Sequence, residues 1–170
     1  MIQFGLRLRL FSLHKLFWQM PLASIILTTV ISCPGFSNPA WYRYCNERFG
    51  QCADIPPGFK NLGEPANSDG LNFVAPDGGM LTVSAIYNVL NGTVSSEVKS
   101  FVNYHGKPQY LAKGGNWFVV SGWNGGSIYY AKVFVTANVI STIFLNYPSA
   151  LKSKYDLIIS RVSSSFSPAK

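Results

Sequence analysis

The chain reads as an α+β domain, an antiparallel β-sheet flanked by two or more helices in an α/β/α sandwich. Three observations predict it. Residues 116–147 (NWFVVSGWNGGSIYYAKVFVTANVISTIFLNY) are three apolar runs, broken at Trp123-Asn124-Gly125-Gly126-Ser127 and at Ala137-Asn138. Val, Ile, Phe, Tyr and Thr fill the runs, which suits a pleated surface, and the Gly and Asn breaks supply hairpin turns. Along 127–136 both faces are apolar, with Tyr129, Ala131, Val133 and Val135 on one and Ile128, Tyr130, Lys132 and Phe134 on the other. Such a sheet needs cover on each side. Two further stretches carry apolar residues at helical spacing and can supply that cover.

Residues 1–37 read as a signal peptide and 38–170 as a single domain. Arg7, Arg9 and Lys15 precede the apolar segment 21–33 (PLASIILTTVISC), and no acid occurs before residue 38. That segment is shorter than the roughly 20 apolar residues a membrane span requires. Two processing routes stay open. Val30-Ile31-Ser32-Cys33 resembles a bacterial lipobox, which would make Cys33 the lipidated first residue and tether the domain to a membrane. Cleavage after Ser37, with Gly35 and Ser37 as the small residues, would release a soluble protein. Either route places the domain in the periplasm.

Residues 41–55 (WYRYCNERFGQCADI) read as a hairpin with 46–51 as its loop. If Cys45 faces Cys52, Arg43 falls opposite Asp54 on the same face, so two compatible pairs share one register. An oxidising compartment favours a disulfide there, contributing roughly 2.5 kcal/mol through its short loop. Cys33 is then the odd cysteine of three. Pro56-Pro57-Gly58 ends the hairpin, and 63–70 is a polar loop. Strands at 71–75 and 80–87 flank the turn Pro76-Asp77-Gly78-Gly79. After the break Asn91-Gly92-Thr93, either Thr93 or Ser95 caps a helix carrying Val94, Val98, Phe101, Val102 and His105. Gly106 and Pro108 stop it. A strand at 109–113 and the turn Gly114-Gly115 lead into the meander. Past Tyr147-Pro148, Ser149 is the expected N-cap of a last helix with the stripe Leu151, Tyr155, Ile158, Val162 and Phe166. The tail from Ser167 is expected to fray.

Charge and residue chemistry exclude several functions. Of the net +7, the leader carries +3 and the rest +4, spread as single basic residues with no basic run. That pattern excludes a nucleic-acid surface. After the leader His105 is the only histidine, so a two-histidine metal site cannot form. No GxSxG elbow occurs, and Val120-Ser121-Gly122 falls inside a predicted strand. Glu64 and Asp69 share one loop, where acids are ordinarily solvated. The glycine pairs match neither GxxxxGK[ST] nor GxGxxG, and calcium-loop spacing is missing. The reading is therefore a non-enzyme without cofactor or metal. Aromatic residues are plentiful: Trp41, Trp117, Trp123, Tyr129, Tyr130 and Tyr147 are more than one small core hides easily. Trp123, beside a hairpin tip, is the expected exposed member. The partner site predicted is Trp123, Asn124, Gly125 and Gly126, within the loop 122–127.

A series of motifs then stands in order: Glu47-Arg48-Phe49-Gly50, Asp54-Ile55-Pro56, Asp69-Gly70, Ala75-Pro76-Asp77-Gly78-Gly79, Asn116-Trp117-Phe118-Val119-Val120-Ser121-Gly122, Tyr147-Pro148 and Ser165-Phe166. Over residues 42–166 it resembles a group of exported, largely uncharacterised bacterial proteins of the PsbP-like fold. Cys45 and Cys52 depart from that pattern and look like an added staple. The resemblance implies an antiparallel sheet sandwiched by helices. It also implies a non-enzymatic adaptor, since such domains include an extrinsic photosystem II subunit, a partner of a small GTPase and envelope accessory proteins. The functional expectation is a periplasmic or lipid-anchored protein, monomeric or weakly dimeric, that binds another envelope or secreted protein. An inhibitor or immunity protein against a secreted toxin is one form of it. The alternative is a carrier of a small ligand or lipid in a pocket between sheet and helix.

Overall fold

The computed structural model describes residues 40–169. The signal-peptide reading and Cys33 lie outside the described residues. Seven strands form one fully antiparallel sheet: β3 (Lys60–Asn61), β4 (Gly70–Val74), β5 (Met80–Tyr87), β6 (Tyr110–Lys113), β7 (Trp117–Asn124), β8 (Ser127–Val135) and β9 (Val139–Pro148), in the order β3-β4-β5-β9-β8-β7-β6. A separate hairpin pairs β1 (Tyr42–Cys45) with β2 (Cys52–Ile55). The helices are α1 (Val94–His105), between β5 and β6, and α2 (Lys152–Ser165), after β9. The predicted meander is β7-β8-β9. β9 closes the fold by pairing along its length with β5, far away in sequence.

Both faces of the sheet are covered, as the two-sided apolar strands require. On one face Phe73, Leu81, Val83, Ile128, Ile143, Leu145 and Tyr147 meet Tyr155, Ile158 and Val162 of α2 and Ala53 and Ile55 of β2. On the other, Phe118, Val120, Tyr129, Ala131, Val133, Val135 and Ile140 lie under Val94, Val98 and Phe101 of α1. Thr93 is the N-cap of α1: its hydroxyl accepts from the Ser96 N–H, and the Ser96 hydroxyl accepts from the Thr93 N–H.

The hairpin has the register its sequence predicts, with Cys45 opposite and bonded to Cys52 and Arg43 opposite Asp54. Asp54 holds two arginines, Arg43 Nη1 at 3.2 Å and Arg161 Nε of α2 at 3.1 Å. Arg43 also donates to the Ser165 carbonyl at 2.7 Å. Arg161 lies 4.4 Å over the Trp41 ring. One carboxylate thus locks the hairpin against α2.

Two expectations are corrected. Ser149 caps no helix; Ser149–Leu151 is a 3-10 turn, and α2 starts one residue later behind Leu151 without a side-chain cap. The Ser149 N–H instead donates to the Gly126 carbonyl at 2.9 Å, drawing it to the β7–β8 turn. Nor does the tail fray. Ser167 exchanges both backbone hydrogen bonds with Cys52, at 3.0 and 2.9 Å, and Ala169, itself buried, donates to the Ser141 hydroxyl at 2.9 Å. Two ladder bonds in a half-buried setting outweigh terminal entropy.

Several motif residues explain themselves here. Asp77 accepts from the Gly79 N–H at 3.2 Å and from the Tyr155 hydroxyl at 2.7 Å, and pairs with Lys154. Burial works against the Asp77 charge, yet the hydrogen bonds from Lys154, Tyr155 and Gly79 hold its carboxyl below the usual range. The Tyr155 ring stacks on Tyr147 at 4.3 Å and crosses Gly79 so closely that a Cβ there would collide with it. Tyr129 crosses Gly122 on the other face in the same manner, an aromatic covering the gap a strand glycine leaves.

Candidate partner-binding surfaces

The predicted contact loop is an exposed hairpin tip. β7 and β8 are joined by Gly125-Gly126, and Gly125 takes the positive φ of +58° that a two-residue hairpin turn demands. Trp123, Asn124, Gly125 and Gly126 are all exposed, and Trp123 shows 51% of its surface. The tip is nonetheless held. The Trp123 N–H donates to Gln109 Oε1 at 2.8 Å, and the Gly126 carbonyl takes the bond from Ser149. Behind the indole lies a cavity of about 280 Å³ whose walls include Gln109, Tyr110, Lys152, Asp156 and Ile159. Lys152 and Asp156 pair across one helical turn at 2.7 Å. The surface thus offers a large aromatic beside paired charges and amide groups.

The remaining aromatics of the sequence reading serve the interior. Tyr129 and Tyr147 are fully buried, and Trp41, Trp117 and Tyr130 are half-buried. The Tyr130 hydroxyl donates to Ser163 Oγ at 2.8 Å, while Lys132 Nζ donates to the Ser163 carbonyl at 2.9 Å at the C-terminal end of α2. His105 is an aromatic-cluster residue, 4.3 Å from Phe101 and 5.2 Å from Phe144 between ring centres. Burial pushes its pKa below the ordinary value. The Asp69 side chain accepts from Asn67 and its carbonyl from the Ala85 N–H and Gln51, bonds that build its loop. Among the described residues no group of three His, Cys, Asp or Glu stands together as a metal site.

A second exposed feature escaped the sequence reading. At the opposite end of the sheet, the β5–α1 connection presents Val89 and Leu90 at 79% and 89% exposure, beside Tyr87 at 54%. Two adjacent aliphatics between Asn88 and Asn91-Gly92 were the available signal, but a break dominated by Asn and Gly reads simply as a turn.

No protein-family model matches the chain, and no curated protein matches it. Solved structures do. The solution structure of the cyanobacterial PsbP (CyanoP) from Synechocystis sp. PCC 6803 superposes with a TM-score of 0.58 at 17% identity, over 82% of this chain and 98% of that one. The fold is PsbP-like. The crystal structure of the Saccharomyces cerevisiae Ran-binding protein Mog1p superposes at a TM-score of 0.53 and 12% identity, over 76% of this chain and 96% of that one. At such identities the likeness establishes the fold and transfers no site. In this PsbP-like fold, the Cys45–Cys52 bond staples the separate hairpin that lies against α2.

Proposed function

We propose that this chain is a non-catalytic binding protein of the bacterial envelope that works by contact with another protein. Residues 1–37 export it, and the domain from 38 onward stays periplasmic, either soluble or tethered through a lipidated Cys33. The observation that carries the reading is Trp123, a half-exposed indole on a tip whose backbone is already hydrogen-bonded. A large aromatic held in place before binding loses little entropy on association and is a frequent energetic anchor. The disulfide supports export. Mog1p, a Ran-binding protein, supports protein contact as one use of this fold, by analogy alone.

Within that reading, an inhibitor or immunity protein for a secreted toxin fits the size, the staple and the thin catalytic inventory. The test is affinity capture from periplasmic and culture extracts under non-reducing conditions, with the exported protein and its Trp123→Ala variant as parallel baits. A hydrolase retained by the first, inhibited by it and lost from the second establishes the inhibitor form. Envelope-complex subunits with the same dependence establish an adaptor. Equal retention by both baits removes the 122–127 loop from the interface.

One observation favours the carrier reading as a runner-up. An apolar groove of about 240 Å³, lined by Trp117, Val119, Lys132, Phe134 and Ser163, lies between the sheet and α2. Ligand sites usually enclose about 300–1,000 Å³, so this groove suits a fragment rather than a lipid. A ligand that co-purifies by native mass spectrometry and is lost on Val119→Trp substitution would reverse the ranking.

A further inference from the structure

The end of the sheet opposite Trp123 holds a second surface, independent of the first. The β1–β2 loop, the β5–α1 loop and the β8–β9 turn there enclose an open cavity of about 650 Å³. Its floor and walls include Phe49, Tyr87, Val139 and Asn138, and Val89 forms part of its rim. Arg48 is the one charged residue in that lining. Its guanidinium lies 4.8 Å from the Phe49 ring centre and 5.3 Å from that of Tyr87, and Nη1 donates to the Asn67 carbonyl. Among the described residues it forms no ion pair. Two ring faces and one hydrogen bond aim the group, and its other N–H donors are left for a ligand.

The rim is equally prepared. Asn88 is buried and ties the loop in both directions: Nδ2 donates to the Gly92 carbonyl at 2.9 Å and the Thr136 carbonyl at 2.8 Å, while Oδ1 accepts from the Gly92 N–H at 2.6 Å. Its N–H donates to the Asn138 carbonyl at 2.8 Å, and its carbonyl accepts from the Asn91 N–H at 3.1 Å. Asn91 sits in the left-handed region at φ +51°. A connection needed only to join β5 to α1 has no use for two exposed aliphatics held this firmly. Single exposed apolar residues are ordinary; an adjacent exposed pair beside Tyr87 and Arg48, residue types that interfaces favour, marks a contact surface.

We propose that this end of the sheet docks a protein segment bearing a carboxylate beside an apolar side chain. The carboxylate takes the Arg48 guanidinium, and the apolar group packs between Phe49, Val139 and Val89. Charge argues against the other occupants. A second copy docked about a two-fold axis would bring Arg48 toward another lining without acids. A bilayer surface is recognised by clusters of about four to eight basic residues, and this lining has one.

The test is a titration of the exported, ¹⁵N-labelled protein with two capped pentapeptides, Gly-Leu-Glu-Leu-Gly and Gly-Leu-Gln-Leu-Gly, followed by amide shifts. The glutamate peptide should move the amides of Arg48, Val89, Leu90 and Asn138. The glutamine peptide should bind about fivefold more weakly, the difference between a charged and a neutral hydrogen bond. Arg48→Gln should equalise the two peptides, and Val89→Ser should weaken both with an unchanged melting temperature. Equal affinities for the wild-type protein, or shifts away from this end, would overturn the proposal. Concentration-dependent dimers abolished by Val89→Ser would reassign the surface to a second copy. Phosphatidylglycerol-vesicle binding abolished by the same change would reassign it to a membrane.

Discussion

On one face of the sheet α2 buries Tyr155, Ile158 and Val162, and the stapled hairpin adds Ala53 and Ile55 beside them. On the other, α1 buries no residue fully and rests on the strands through half-buried Val94, Val98 and Phe101. The first layer is also pinned by polar groups, with Asp54 joining β1, β2 and α2 and Asp77 joining the β4–β5 turn to α2. The second has a capped helix, ring contacts and little else. One sheet therefore carries a rigid layer and a shallow one, and local opening belongs to the shallow one. The β5–α1 loop leads directly into α1, and its own Asn88 lock holds it where the helix behind offers limited support.

The sharpest way to break this contrast is Tyr155→Ala. It removes a fully buried ring, the Tyr147 stack and the Asp77 hydrogen bond, and should cost about 3–5 kcal/mol in urea unfolding. Replacing Cys45 and Cys52 together by serine should cost roughly 2.5 kcal/mol on the same face. Phe101→Ala, on the shallow face, should cost only about 2 kcal/mol because its ring is half-buried. A loss for Phe101→Ala equal to that for Tyr155→Ala would mean the layers are equally deep. Amide exchange should rank them without mutation, α1 exchanging before α2.

Acid should separate the faces by pH. The folded His105 has a lowered pKa, so the unfolded chain binds the proton more readily. The stability of the α1 face is full above the ordinary histidine value of about 6.5 and declines as pH falls through it. Asp77 also titrates low when folded, despite burial, because of Lys154, Tyr155 and Gly79; Asp54, despite burial, because of Arg161 and Arg43. Their contribution is full above about pH 4 and is lost below it. Chemical unfolding at a series of pH values should show the first decline disappear in His105→Phe and the second shrink in Asp77→Asn. These effects are the smallest of the set, about 1 kcal/mol each.

Much of this was legible in the residues. The hairpin register followed from two complementary pairs, Cys45–Cys52 and Arg43–Asp54, that only one alignment satisfies. The meander followed from period-two patterning with Gly-Gly and Ala-Asn breaks, and each helix from its apolar stripe. Trp123 was singled out by standing next to a turn, where a large side chain has nothing to pack on. Val89 and Leu90 were not, because exposure of an aliphatic in a turn depends on whether a distant segment covers it. Ser149 and the tail were misjudged for the same reason: their hydrogen bonds go to Gly126, Cys52 and Ser141, remote in the chain.

Sequence by itself determined the longer strands and both helices, which strand faces are apolar, and the register of the Cys45–Cys52 hairpin, while the two-residue strand β3 left no pattern to read. These depend on spacing and on turn chemistry between near neighbours, which a linear pattern records. Tertiary structure alone decided that β9 pairs with β5, that Asp77 meets Tyr155, and that Arg48 reaches the Tyr87 ring beside the Asn88-locked loop. Those contacts join residues distant in the chain, and burial of the whole sheet selects them.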